Sequence, residues 1–368
     1  MAQRISVVLS QGQSQNPQKR QLEEDIVTGL MLEPGIDVTV VPHLYDLRPD
    51  GTGMLALQGI SGDMIVCSWL YERAAHWILS RNKIDGHVGT TLIQPEADDD
   101  EEEELEEEAD SKDRVINSRD IPNRKIYCLN LRLRDSADDF IEEIRRIAAE
   151  VKVKVLGIGN WVNGAPKAEQ LARYENPTND TALAKDGSEL QQPAATNGHS
   201  SGNGLPIVAE VKRVEEETGR RWYPVIDYSR CTNCMECIDF CLFGVYGVDN
   251  LETILVEQPD NCRKGCPACS RVCPENAIMF PQHKTPAIAG SAEAAASLKI
   301  DLSLLFGAPE SGKSAVEIAA LERDEQLLAA GREAVGMSVG IPKRRQEKPD
   351  EARDALDDLV DQLDDMDL

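Results

Sequence analysis

Cys231-Thr-Asn-Cys234-Met-Glu-Cys237-Ile-Asp-Phe-Cys241 and, further along, Cys262-Arg-Lys-Gly-Cys266-Pro-Ala-Cys269-Ser-Arg-Val-Cys273-Pro274 together hold eight of the ten cysteines of the chain. Their spacings, C-x2-C-x2-C-x3-C and C-x3-C-x2-C-x3-C-P, read as one iron-binding unit written twice. Three thiolates this close can wrap three corners of an iron-sulfur cube, whereas the fourth, a helical turn further on, points toward a second cube. The two runs are therefore expected to exchange their last cysteines. Four-cysteine zinc sites also use short spacings, but they usually pair two C-x2-C knuckles, which neither interlocked run looks like.

The segment from about residue 222 to 282 resembles a bacterial-type ferredoxin with two [4Fe-4S] clusters. The resemblance implies that one cluster is held by Cys231, Cys234, Cys237 and Cys273. It implies that the other is held by Cys262, Cys266, Cys269 and, across the pseudo-twofold, Cys241. Two departures stand out. Leu242 occupies the place where the family usually has proline, and the second run has one extra residue between its first two ligands. Gly265 lies beside that residue and can take the positive φ that a widened loop needs. The flanks read as a small α+β fold: a strand from Arg221 to Asp227, a hairpin of Val245 to Val248 and Thr253 to Val256 turning at Asp249-Asn250, and a closing strand from Ala277 to Phe280.

Upstream, residues 1–160 alternate strands and helices. Arg4 to Ser10, Asp37 to Val41 and Asp63 to Trp69 are nearly continuous apolar runs, the pattern of parallel strands buried on both faces. Between the first two, Asn16 is placed to cap a helix with Pro17 at its first position, burying Leu22, Ile26, Val27 and Leu30, and Glu33-Pro34-Gly35 stops it. A helix over Tyr71 to Arg81 and a strand over His87 to Ile93 follow. Lys125 to Arg134 ends in alternation, which predicts a half-exposed strand near an edge. Ser136 caps a helix whose apolar face is Phe140, Ile144, Ile147 and Ala148, and Val151 to Ile158 is expected to close the sheet. The fold class is α/β, a doubly wound parallel sheet of flavodoxin-like type joined to the small cluster domain.

The rest of the chain is polar or charged. An acidic insertion at 96–113 interrupts the first domain, a flexible linker is expected over 161–205, the cluster domain over 206–285, and a partly helical, acidic, loose region over 286–368. The net charge of -26 disfavours nucleic acid and favours redox partner proteins with a basic docking surface. There is no apolar run long enough to span a membrane and no signal peptide, so a cytoplasmic location is expected, in keeping with cysteines used as thiolates.

Three further motifs lie outside the cysteine runs. Gly307-Ala-Pro-Glu-Ser-Gly312-Lys313-Ser314 matches the phosphate-loop pattern but lacks the sequence for a surrounding parallel sheet, so the match is expected to be accidental. The loop Ser10 to Asn16 precedes a helix N-terminus, and Trp69 and Tyr71 follow a strand, an arrangement in which a flavin could sit. In the tail, Leu356, Leu359, Val360 and Leu363 form an apolar stripe suited to a partner. Cys67 and Cys128 read as buried small hydrophobes. The five histidines form no metal or triad spacing, and no catalytic constellation is present. The expected function is single-electron transfer, set against a flavin-linked iron-sulfur oxidoreductase subunit and a non-redox interaction module stabilised by clusters.

Overall fold

Apolar runs placed between helices fold here as two-sided buried strands. The computed structural model describes residues 4–94, 114–154, 211–291 and 314–340. Strands β1 (Ile5–Ser10), β2 (Ile36–Val41), β3 (Met64–Ser68), β4 (His87–Val88) and β5 (Lys125–Asn130) join a sixth, β6 (Lys212–Arg213), in one parallel sheet ordered β4-β5-β3-β1-β2-β6. Val7, Leu9, Val38, Val40, Ile65 and Cys67 face helices α1 (Pro17–Met31) and α4 (Ala137–Lys154) on one side. Val8, Val41, Val66, Ile126 and Cys128 face α2 (Thr52–Gln58) and α3 (Glu72–Arg81) on the other. Alternate residues thus feed two apolar layers, giving the expected α/β sandwich with Cys67 and Cys128 inside it.

Helix α1 follows its sequence signals: Asn16 Oδ1 accepts from Gln18 N at 2.9 Å, Pro17 is the first helical residue, and Leu22, Ile26, Val27 and Leu30 are buried. Several expectations need correction. Val151 to Lys154 continues α4 rather than starting a strand, because the spacing of Phe140, Ile144, Ile147 and Val151 keeps a helical stripe on the core; residues 155–158 lie outside the described residues. The position beside β2 is taken by β6, where Lys212 pairs with Thr39 and Arg213 with Val40. Strand β5 stops at Asn130, lies between β3 and β4, and is buried over most of its length, so it is not a half-exposed edge. Beyond Asn130 the backbone turns, with Arg132 N donating to Asn130 Oδ1 at 3.1 Å. The strand at His87 is only two residues long. The order also departs from the flavodoxin series, since β5 rather than β4 lies next to β3. Helix α2 carries no strong sequence signal and was not foreseen.

The cysteine-bearing module packs on the α2/α3 face of this sheet. Its strands are short: β7 (Val225–Ile226) pairs antiparallel with β10 (Ile278–Met279), and β8 (Tyr246–Val248) with β9 (Ile254–Val256). The hairpin turns at Asp249, whose Oδ1 accepts from Leu251 N and Thr253 N, both at 2.9 Å. Tyr223, Val225 and Met279 enter the same core layer as α2 and α3. The junction is polar as well. The Tyr45 and Tyr223 rings stack at 4.3 Å, Tyr223 N donates to the Tyr45 hydroxyl at 2.6 Å, and half-buried Arg73 pairs with buried Asp227 while donating to Asn276 O at 2.6 Å.

A helix over Ala315–Ala329 then lies against the module, capped by Ser314 and Glu317 in a reciprocal capping box. Ser314 thus accepts from Glu317 N, while 307–313 fall outside the described residues. The acidic insertion, the linker at 161–205 and the tail stripe also lie outside them.

Candidate iron-sulfur centre

Each cysteine run folds as a turn followed by one short helix. In the first, Asn233 and Met235 adopt positive φ, 57° and 62°, which bends the chain tightly around Cys234. Asn233 is held by the hairpin: its Nδ2 donates to Glu252 O at 2.8 Å and its Oδ1 accepts from Ile254 N at 2.9 Å. The helix Glu236–Phe240 carries Cys237 and ends at Cys241. In the second run, Gly265 takes φ 88° with open space where a Cβ would stand, the widened turn its sequence position suggested. The helix Ala268–Val272 carries Cys269 and ends at Cys273.

The two helices pack together, and the cysteines fall into two groups of four. Cys231, Cys234, Cys237 and Cys273 line one cavity, with Ile254 and Ile278 among its apolar walls. Burial pushes the Cys231 thiol up to about 11, and the nearby sulfurs of Cys273 and Cys234 push it the same way. Burial likewise raises Cys237, followed by the influence of Cys273, Cys231 and Cys234. The second group is Cys241, Cys262, Cys266 and Cys269. Burial raises the Cys269 thiol most, and Cys241, Cys262 and Cys266 add to it. Cys262 rises from burial and from its neighbours Cys266 and Cys241. Each run therefore contributes three sulfurs to one group and its last sulfur to the other.

Four thiolates buried side by side are unstable unless a cationic core offsets their charge. Among the described residues, no three His, Cys, Asp or Glu side chains converge on a point where a single metal ion would sit. The first group instead surrounds a cavity. A multi-iron cluster fits that donor set better than one zinc ion does. Cys273 Sγ also accepts from Ala277 N at 3.3 Å, and Cys269 Sγ lies 3.1 Å from the Tyr246 hydroxyl. Hydrogen bonds of this kind stabilise charge on ligating sulfur.

Several of these partners were missed in the sequence. Asp227 is buried and accepts from Ser229 N at 2.9 Å as well as pairing with Arg73. Arg323 is buried with its guanidinium 4.6 Å from the Phe240 ring, donating to Gly336 O and Val339 O at 2.6 and 2.8 Å. Nothing in local spacing announces either, because both act across long sequence separations.

The first domain gives the flavin alternative little room. Glu23, 1% exposed, accepts from Gly12 N and from Trp69 Nε1, both at 2.7 Å. A carboxylate of the chain thus holds the loop amide that a phosphate would use. Trp69 is fixed to α1 with the Lys19 ammonium 4.4 Å from its ring, and Arg132 lies over Tyr71 at 5.0 Å. His43, given no role from sequence, is buried beside Asp46. Burial holds its ring down to about 4; Asp46 opposes this, and Arg132 and Arg220 reinforce it.

Comparison with known proteins bears on the cysteine module. The chain is 48% identical over 77 residues to an uncharacterized ferredoxin of Methanocaldococcus jannaschii, which covers 19% of this chain and 52% of that protein. It is 34% identical over 67 residues to the pyruvate synthase subunit PorD of the same organism, covering 18% of this chain and 76% of that subunit. The chain carries a ferredoxin domain. The chain spans about half the length of the first relative, so the ferredoxin domain is the shared part. No family model matches the chain. No solved structure matches it either. Beside the ferredoxin domain, no helix among the described residues is long and apolar enough to cross a membrane.

Proposed function

We propose that the ferredoxin domain carries electrons singly between redox partners. On this reading Cys231, Cys234, Cys237 and Cys273 hold one [4Fe-4S] cluster, and Cys241, Cys262, Cys266 and Cys269 hold the other. The observation that carries the reading is the gathering of eight sulfurs from two runs into two groups of four, each completed by the last cysteine of the opposite run. When bound, such a cluster supplies a site that gains or loses one electron at low potential. The chain supplies the rest. The two short helices carry the third cysteine of each run and end at the fourth, which joins the other group, Phe240, Val272 and Phe280 exclude water, and Asp227 with Arg73 locks the turn before Cys231.

One relative is named as a subunit of pyruvate synthase, which supports a partner that is an oxidoreductase complex. The acidic balance of the chain, -26, favours a basic docking surface on that partner. The first α/β domain, taken as residues 1–160, is proposed to be a scaffold or docking domain, with 206–285 as the electron-carrying part.

The test is anaerobic purification of the full chain with iron, sulfide, zinc and flavin measured on one sample. About eight irons and eight sulfides per chain, reducible and reoxidisable, are expected. Stoichiometric zinc without labile sulfide would overturn the cluster reading. Clusters that cannot be reduced reversibly would leave only a structural role, and a stoichiometric flavin would restore the flavin-linked alternative.

A further inference from the structure

The unit written twice differs at one place that the fold brings against a sulfur. Tyr246 stands five residues after Cys241, and Ile278 stands five residues after Cys273, so the two occupy the same position in the repeat. Each opens a short strand, β8 and β10. Because the last cysteines are exchanged, Ile278 lines the cavity of the first group while Tyr246 reaches the second. The Tyr246 hydroxyl is 3.1 Å from Cys269 Sγ, with Tyr246 6% and Cys269 7% exposed. Cys269 is the third cysteine of its run, and its counterpart Cys237 shares a cavity with Ile278, whose side chain has no hydrogen to donate.

Resting on the two-cluster reading, we propose that Tyr246 is a positioning residue for redox, its hydroxyl donating to Cys269 and holding the second group at a higher reduction potential than the first. A ligating cysteine is a thiolate without a proton, so in this pair the tyrosine must be the donor. Adding one electron from an external reductant increases the negative charge shared with the sulfurs. A donor fixed on one of those sulfurs stabilises the reduced form more than the oxidised form, and burial keeps water from substituting for it. The consequence is directional: an electron shared between the groups rests on the Cys269 side.

Other charges face the second group, and the test must leave them in place. Arg323 lies against Phe240, next to Cys241, and favours the added charge. Glu322 opposes it but is tied to Arg271 at 3.0 Å. Tyr246→Phe removes the hydroxyl alone.

The experiment is a potentiometric titration of the anaerobic full chain followed by electron paramagnetic resonance, after iron and sulfide have been counted. Wild type is expected to show two one-electron midpoints. In Tyr246→Phe the higher midpoint should fall by about 59 mV, a tenfold change in its one-electron equilibrium, with the lower one unmoved. Site-specific 3-fluorotyrosine at position 246, a stronger donor of the same shape, should raise the higher midpoint. That arm decides the matter if the phenylalanine variant fails to load. Midpoints that stay in place, or that move together, overturn the role of Tyr246. A wild-type chain without two reducible clusters instead sinks the underlying function, so the two failures are distinguishable.

Discussion

The sheet domain and the ferredoxin domain hold themselves together by different means. Strands β1, β2 and β5 have six residues each, and both faces of the sheet are closed by buried aliphatic and aromatic side chains. In the ferredoxin domain the paired strands have two or three residues, and the cysteines in and around its core are spaced for ligation rather than for packing. Ladders that short do not stand alone in water. The comparison teaches that one half is stabilised by apolar burial and the other, under the proposed function, by its metal centre as well, with Tyr223, Val225 and Met279 lent to the core of the sheet.

The largest expected effect breaks that pairing outright. Stripping iron with a chelator under reducing conditions should abolish amide-exchange protection around residues 231–273, because metal-binding free energy here is folding free energy. Protection in β1, β2, β3 and β5 should persist. Equal protection of the ferredoxin domain with and without iron would show that it folds on its own packing.

A smaller effect is expected at the junction. Asp227→Ala leaves the half-buried Arg73 guanidinium without its carboxylate, and removing one partner of a buried pair costs about 3–5 kcal/mol, an upper bound here. Denaturant unfolding followed by both cluster absorbance and circular dichroism should show the cluster transition moving to lower denaturant and separating from that of the sheet. Coincident transitions at the wild-type midpoint would mean that the pair contributes nothing to the coupling.

The smallest effect belongs to the sheet domain. Unfolded His43 takes up a proton as the pH falls through about 6.5, whereas burial keeps the folded ring neutral until about 4. Between those values the unfolded chain binds more protons, so stability is full above the upper limit and declines as the pH falls through the window. Histidine ring signals followed by magnetic resonance should show His43 neutral at pH 5.5; protonation near 6.5 would remove this contribution.

How much was legible follows from how local each cause is. The strands β1, β2 and β3 and helix α1 were readable because their signals, apolar runs and an Asn-Pro start, lie within the element. Sulfur spacing likewise suggested two interlocked groups, because the spacing of the ligands also lies within each run. The end of α4 was misread because β-branched valines at Val151 and Val153 resemble a strand, although the helical stripe runs on through Val151. Strand β6 was illegible because its partner Thr39 lies far away in sequence and its own residues, Lys212 and Arg213, are charged and exposed. The Tyr246 contact could have been found by aligning the two runs against each other and asking which repeated position changes chemistry.

Strand β6 has a consequence for timing. Lys212 and Arg213 are stitched to Thr39 and Val40 ahead of the cysteine runs, and the Tyr45–Tyr223 stack clamps the chain again before Cys231. Reorienting the ferredoxin domain as a pendulum would mean unzipping a strand and separating two buried rings. Under the proposed function, the clock for electron exchange is then the collision with a partner rather than an internal swing. Such a clock is set by the charges on the two colliding surfaces and slowed by added salt.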